Sequence, residues 1–194
     1  MHRLAKLKEK IDALYQARHE GRAEWADWLY TDHVFLVADE AGRLADRFGA
    51  DKELAMAAGM LHDIADAVMS RFNPMHSEES KRIARELLTE AAFAPDEIKT
   101  IVDDAITLHS CRDGQLPMTL EGKVMATADA VIHLTSDFYD RATRERRLTQ
   151  SPEEIRAWAL PKIERDFHTK ILFDNVREEV RDAYETRKAF FDLL

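Results

Sequence analysis

One cysteine, six glycines and five prolines in 194 residues leave little for disulfide bonding, tight turns or breaks in regular structure. Cys111 has no partner for an internal disulfide, and we read it as a small packed thiol rather than a nucleophile or ligand. Scarce turn formers favour long helices. Strand signals are missing as well, because no segment sustains a two-residue alternation bounded by hairpin turns. No uncharged stretch is long enough to span a bilayer, and the first residues lead into an amphipathic segment instead of a signal-peptide apolar run. These absences point to a cytoplasmic protein with no membrane partner. Positive charge is also short: 28 Lys and Arg against 37 Asp and Glu give a formal charge of -9. Nonspecific binding to a nucleic-acid backbone depends on clustered cations, so an extended nucleic-acid partner is excluded. A small anionic substrate is not, because bound metal cations supply local positive charge inside an acidic protein.

What the chain does have is helical periodicity. Leu4, Leu7, Ile11, Leu14 and Tyr15 share one face of a first helix that Gly21 stops. A second helix is expected over about residues 22–48, with a break near Thr31 and Asp32, ending before Gly49. Asp51 caps a third, which is expected to run through His62 and Asp63 toward Met69. Ser77 is the expected cap of a fourth, and Pro95 opens a fifth that ends at His109. Thr119 caps a sixth carrying Asp129. Residues 141–150 read as a polar linker or a solvated helix end in which Arg144, Arg146 and Arg147 are simply hydrated. Ser151-Pro152-Glu153-Glu154 then forms a capping box for a helical tail that Pro161 interrupts. The length suits one all-α domain over residues 1–194, with a motif-bearing core at about 22–140 and a helical extension at about 151–194.

The informative residues are polar groups on apolar stripes. His33 lies in register with Val37, Ala41, Leu44 and Phe48; His62 with Ala55, Ala58 and Ala65; and His109 with Val102 and Ala105. Asp129 sits among Met125, Ala126, Ala128, Ala130, Val131 and Ile132. A single core histidine is usually satisfied by a backbone hydrogen bond. Several imidazoles and carboxylates from separate helices form a costly polar cluster unless a cation neutralises the carboxylates and uses the ring nitrogens.

This pattern resembles the HD superfamily: a His on one helix, an adjacent His-Asp on the next, and a later Asp. His33 matches the first, Leu61-His62-Asp63-Ile64-Ala65 the name-giving pair, and Ala126-Thr127-Ala128-Asp129 the last. The resemblance covers about residues 31–134. It implies a compact HD-type helical bundle and a metal-dependent phosphohydrolase acting on a nucleotide or other small phosphate ester or anhydride. His76 and His109 make the chain similar to binuclear members such as the diadenosine-tetraphosphatase-like group. On that likeness Asp63 bridges two ions, with His33, His62 and Asp129 on one and His76 and His109 on the other. The ions implied are one or two divalent transition metals, among iron, manganese, cobalt, nickel and zinc.

Asp66 departs from the binuclear pattern, where a Lys is common at this position; an acidic residue there is thought to handle the attacking water in HD proteins acting on nucleotide monophosphates or guanosine tetraphosphate. Asp66 is therefore a catalytic candidate beside Asp63, against a reading as a surface carboxylate. Arg112 and Lys123 are the candidate substrate-binding cations, and His133 a supporting partner of Asp129. His2, His19 and His168 look unconnected to the site. The alternatives carried forward are an HD-type di-iron oxygenase and a non-catalytic nucleotide-binding module, and either form is compatible with a homo-oligomer.

Overall fold

The computed structural model describes residues 2–194, and among them every regular element is helical. In chain order the α-helices are α1 (His2–Gln16), α2 (Ala26–Leu29), α3 (Phe35–Phe48), α4 (Lys52–Leu61), α5 (His76–Glu90), α6 (Pro95–Lys99), α7 (Leu120–Thr135), α8 (Phe138–Arg146), α9 (Pro152–Arg165), α10 (Asp174–Glu179) and α11 (Arg181–Asp192). α3, α4 and α7 pack against one another at the centre, and the segment Thr100–Ile106 closes over α4 and α7. No described helix is long and apolar enough to cross a membrane.

The interior is rich in alanine, and small side chains let the central helices approach closely. A Cβ on Gly59 of α4 would stand 2.8 Å from the Ala38 Cα of α3, so only glycine fits that crossing. Gly49 ends α3 in the left-handed region at φ 77°, where glycine avoids the Cβ penalty. The close α3–α4 crossing lies near His33 and His62 and draws their rings to 5.4 Å between centroids.

Three wider, π-helical turns interrupt or extend the α-helices: Tyr30–Val34, Thr100–Ile106 and Asp166–Lys170. His33 lies in the first, His109 follows the second, and Asp166 and Lys170 belong to the third. Such turns shift the register of the side chains around the axis and recur at functional sites.

The caps expected at Asp51, Thr119 and Ser151 are present, with Asp51 accepting from the Leu54 N–H at 3.1 Å and Thr119 from that of Gly122 at 3.0 Å. Other boundaries differ from the sequence reading. The second segment begins at Ala26 and is widened, not broken, at Thr31. α4 stops at Leu61, because Asp63 leaves helical geometry at φ -127° and ψ 33°, and a short tight turn, Ile64–Ala67, follows. α5 opens at His76, ahead of Ser77, after the Asn73 side chain accepts the Met75 N–H at 2.9 Å. The segment 141–150, expected as a linker or a solvated helix end, is the end of α8 as far as Arg146, and buried Phe138, Tyr139, Ala142 and Thr143 anchor that helix. Pro161 does not interrupt α9; the capping box and the buried stripe Ile155, Ala159 and Ile163 hold the helix across its missing N–H.

Candidate active site

His33, His62 and Asp129 converge, each offering a ligand atom within 4.8 Å of the others, and all three are buried. His62 Nδ1 donates to the Gly59 carbonyl at 2.9 Å, which leaves Nε2 as the lone-pair nitrogen. That Nε2 and Asp129 Oδ1 face each other at 3.8 Å, and neither has a hydrogen-bond partner. Two acceptors facing in a buried site repel, and a cation between them removes the conflict. The donor set therefore fits a divalent metal.

His33 Nε2 stands 3.3 Å from the same Oδ1 and His133 Nε2 3.2 Å, with the two rings stacked 5.1 Å apart at 6°. None of these nitrogens is aligned to hydrogen-bond it. His109 repeats the arrangement of His62: its Nδ1 donates to the Ile106 carbonyl at 2.7 Å, so Nε2 carries the free lone pair, and the two rings lie 5.4 Å apart. Burial pulls the pKa of His33 down, that of His109 to about 4 and that of His133 to about 3. Neutral imidazole is the form that ligates a metal.

The carboxylates are held ionised. Burial alone pushes Asp63 up, but Arg71 first, then His62 and His109, outweigh it and hold the carboxyl well below the usual range. For Asp129, burial is outweighed in the same way by His133 and Lys170. Arg71 bonds Asp63 Oδ2 at 2.8 Å and also grips Asp66.

Behind Asp129 lies a second buried layer that sequence reasoning did not find. Lys170 pairs with Asp129 Oδ2 and stands 3.7 Å from Asp166 Oδ1. Lys162, whose pKa burial pulls down to about 8, donates to Asp166 Oδ2 at 3.0 Å and to His133 Nδ1 at 2.9 Å. Tyr139 donates to Asp166 at 2.8 Å. The signal was present: Ile163, Phe167 and Ile171 place Asp166 and Lys170 on the inward stripe of a helix.

A cavity of about 610 Å³ opens over this cluster, within the range of small-molecule sites. Among its lining residues are His62, Asp63, His76, His109 and Asp129, and six cations: Arg71, Arg112, Arg146, Lys162, Arg165 and Lys170. Arg112, one of the two candidate substrate-binding cations, lines the cavity. Lys123 does not line the cavity; six residues before Asp129, it lies nearly two turns away along α7 and about 120° round the axis. Arg146, read as merely hydrated, does line it.

Asp66 is neither a surface carboxylate nor a cavity residue. Because α4 ends at Leu61, it is not one helical turn from Asp63; its side chain is only 1% exposed, bonded to Arg71 and, at 2.9 Å, to His76 Nε2. His76 borders the cavity with that nitrogen committed to Asp66 instead of the metal cluster. Only Nδ1 of His76 is then left for the expected ligand role, with Nε2 held by the Asp66 carboxylate.

The chain is similar to several known proteins. The chain is 28% identical to Ribonuclease Y of Enterococcus faecalis over 161 residues, covering 74% of this chain and 31% of that protein. It is 31% identical to Ribonuclease Y of Alkaliphilus metalliredigens over 139 residues, 62% and 29% of the two chains. The chain thus matches about a third of the length of these relatives. In structure it resembles a predicted HD superfamily hydrolase from an uncultured Thermotogales bacterium, with a TM-score of 0.60 and 19% identity over 95% of this chain and 88% of that one. The HD domain family matches residues 30–133, from just before His33 to beyond Asp129, and the chain belongs to that family.

Proposed function

We propose that the protein is a metal-dependent phosphohydrolase acting on a small phosphorylated substrate, a nucleotide in first place. The observation that carries this reading is the pairing of a buried His-His-Asp cluster with a cavity walled by six cations, in a chain whose overall charge is -9. Cations gathered in one concavity of an acidic protein suit a compact polyanion.

In this reading His33, His62, Asp63 and Asp129 hold one divalent ion, with His109 available to a second beside Asp63. A bound divalent cation supplies Lewis acidity and makes a water molecule nucleophilic near neutral pH. The protein's own residues do the rest. Arg71, already against Asp63, has further N–H donors for phosphoryl oxygens. Lys162 and Lys170 keep positive potential beneath the cluster, which favours charge accumulating on the transferred group. Asp66 sets Arg71 in place and is a positioning residue.

The name of the relatives, Ribonuclease Y, brings an RNA phosphodiester into consideration. The net charge and the confinement of the cations to one cavity of about 610 Å³ favour the smaller substrate. A screen of mono-, di-, tri- and cyclic nucleotides with a single-stranded RNA oligomer, each supplemented with manganese, cobalt, nickel, zinc or iron, tests this directly. Phosphate release or ester cleavage from a nucleotide is the expected result. Oxygen consumption without phosphate release would favour the di-iron oxygenase alternative, and nucleotide binding with no turnover under any metal would favour a non-catalytic module.

A further inference from the structure

The six cavity cations do not share one environment. Arg71 pairs with Asp63 and Asp66, Lys162 with Asp166, and Lys170 with Asp129 and Asp166. Arg112, Arg146 and Arg165 make no ion pair among the described residues. Arg146 and Arg165 go further, since each carries a buried Nε with no hydrogen-bond partner. Both belong to α8 and α9, beyond residue 133, where the match to the HD family ends.

Arg146 is also fixed in place. Its guanidinium lies 3.9 Å over the Trp158 ring and 5.7 Å from that of Trp25, and Nη1 donates to Gln150 Oε1 at 3.0 Å. One face of Trp158 is covered in this way, so the aromatics hold the arginine in preference to stacking a base. Burial, followed by the neighbouring charge of Arg71, lowers the pKa of Arg146. A guanidinium pinned in the cavity wall without a carboxylate partner, set among other cations, gains most from an anion.

We propose that Arg146 and Arg165 form a second anion subsite in the cavity wall, built for a phosphoryl group other than the one attacked at the His-Asp cluster. The substrate class is then molecules bearing at least two phosphoryl groups. This rests on the phosphohydrolase reading for the identity of the attacked group, but the subsite itself is a property of α8 and α9.

The test uses the full chain in EDTA, with inorganic pyrophosphate titrated and followed by calorimetry and by tryptophan emission, since Trp25 and Trp158 flank Arg146. Wild type is expected to bind, with altered emission, and Arg146→Gln and Arg165→Gln each to weaken pyrophosphate at least tenfold. Lys123→Gln, outside the cavity, is expected to bind as wild type. Circular dichroism identifies folded variants, and because the two arginines are tested singly, one folded variant suffices. Absence of binding by wild type, or equal affinity in the folded arginine variants, overturns the subsite. A chain that binds pyrophosphate through these arginines yet hydrolyses nothing keeps this inference and loses the phosphohydrolase reading; a phosphohydrolase indifferent to both arginines does the reverse.

Discussion

Lys170 forms a buried ion pair with Asp129 through Oδ2, while Asp129 Oδ1 faces His33, His62 and His133. A lysine outside the residues matched to the HD family thus sets which carboxylate oxygen points into the cluster. Lys170→Met keeps the length of the side chain and removes the charge, leaving Asp129 and Asp166 less compensated. Breaking a buried pair from one side costs about 3–5 kcal/mol. Urea unfolding is expected to show a loss of this size, and unchanged stability would mean that the pair contributes nothing net.

Gly59 tests the α3–α4 crossing. On an open helix Gly→Ala stabilises by up to about 1 kcal/mol. Here the new Cβ meets backbone at 2.8 Å, so Gly59→Ala is expected to destabilise by about 1–3 kcal/mol and to weaken metal binding as His33 and His62 move apart. A stabilised variant would contradict the close approach.

Asp66→Asn keeps the shape of a residue that touches Arg71 and His76 but not the cavity. Losing one charged hydrogen bond to Arg71 corresponds to about a tenfold drop in kcat/KM. Metal stoichiometry is expected to stay at the wild-type value. Metal and activity falling together would make Asp66 a ligand, and an unchanged rate would make its hold on Arg71 idle.

Burial pushes the Cys111 thiol up to about 11. The folded protein then keeps a proton that the unfolded chain releases near pH 9, so this group's contribution to stability is full below that pH and is lost as pH rises toward 11. At pH 8 a thiol reagent is expected to label native protein far more slowly than protein unfolded in urea. Equal labelling rates would place the thiol at the surface.

The parts of this arrangement that were legible in the sequence are those in which a residue type conflicts with its stripe. His33, His62, His109 and Asp129 stood out because imidazole and carboxylate are costly on apolar faces, and Asp51, Thr119 and Ser151 because a cap needs a particular side chain. Arg146 and Lys162 were hidden by abundance, since Lys and Arg occur on nearly every solvated helix face and their long stems reach a cavity from afar. Asp66 was misplaced for a different reason: the helix expected to run through Asp63 toward Met69 ends at Leu61, and a tight turn over Ile64–Ala67 replaces the helical spacing. The π-helical turns that carry His33 and Lys170 likewise leave no mark in a 3.6-residue pattern.

Crystals grown with excess manganese and measured for anomalous scattering test the His-Asp cluster most directly. An anomalous peak is expected within ligand distance of His62 Nε2, Asp129 Oδ1 and a His33 ring nitrogen, the first two being the buried acceptors that face each other without a partner. A metal-replete crystal with no peak at that position, or with manganese bound only elsewhere, would contradict the assignment of these three residues as a metal centre.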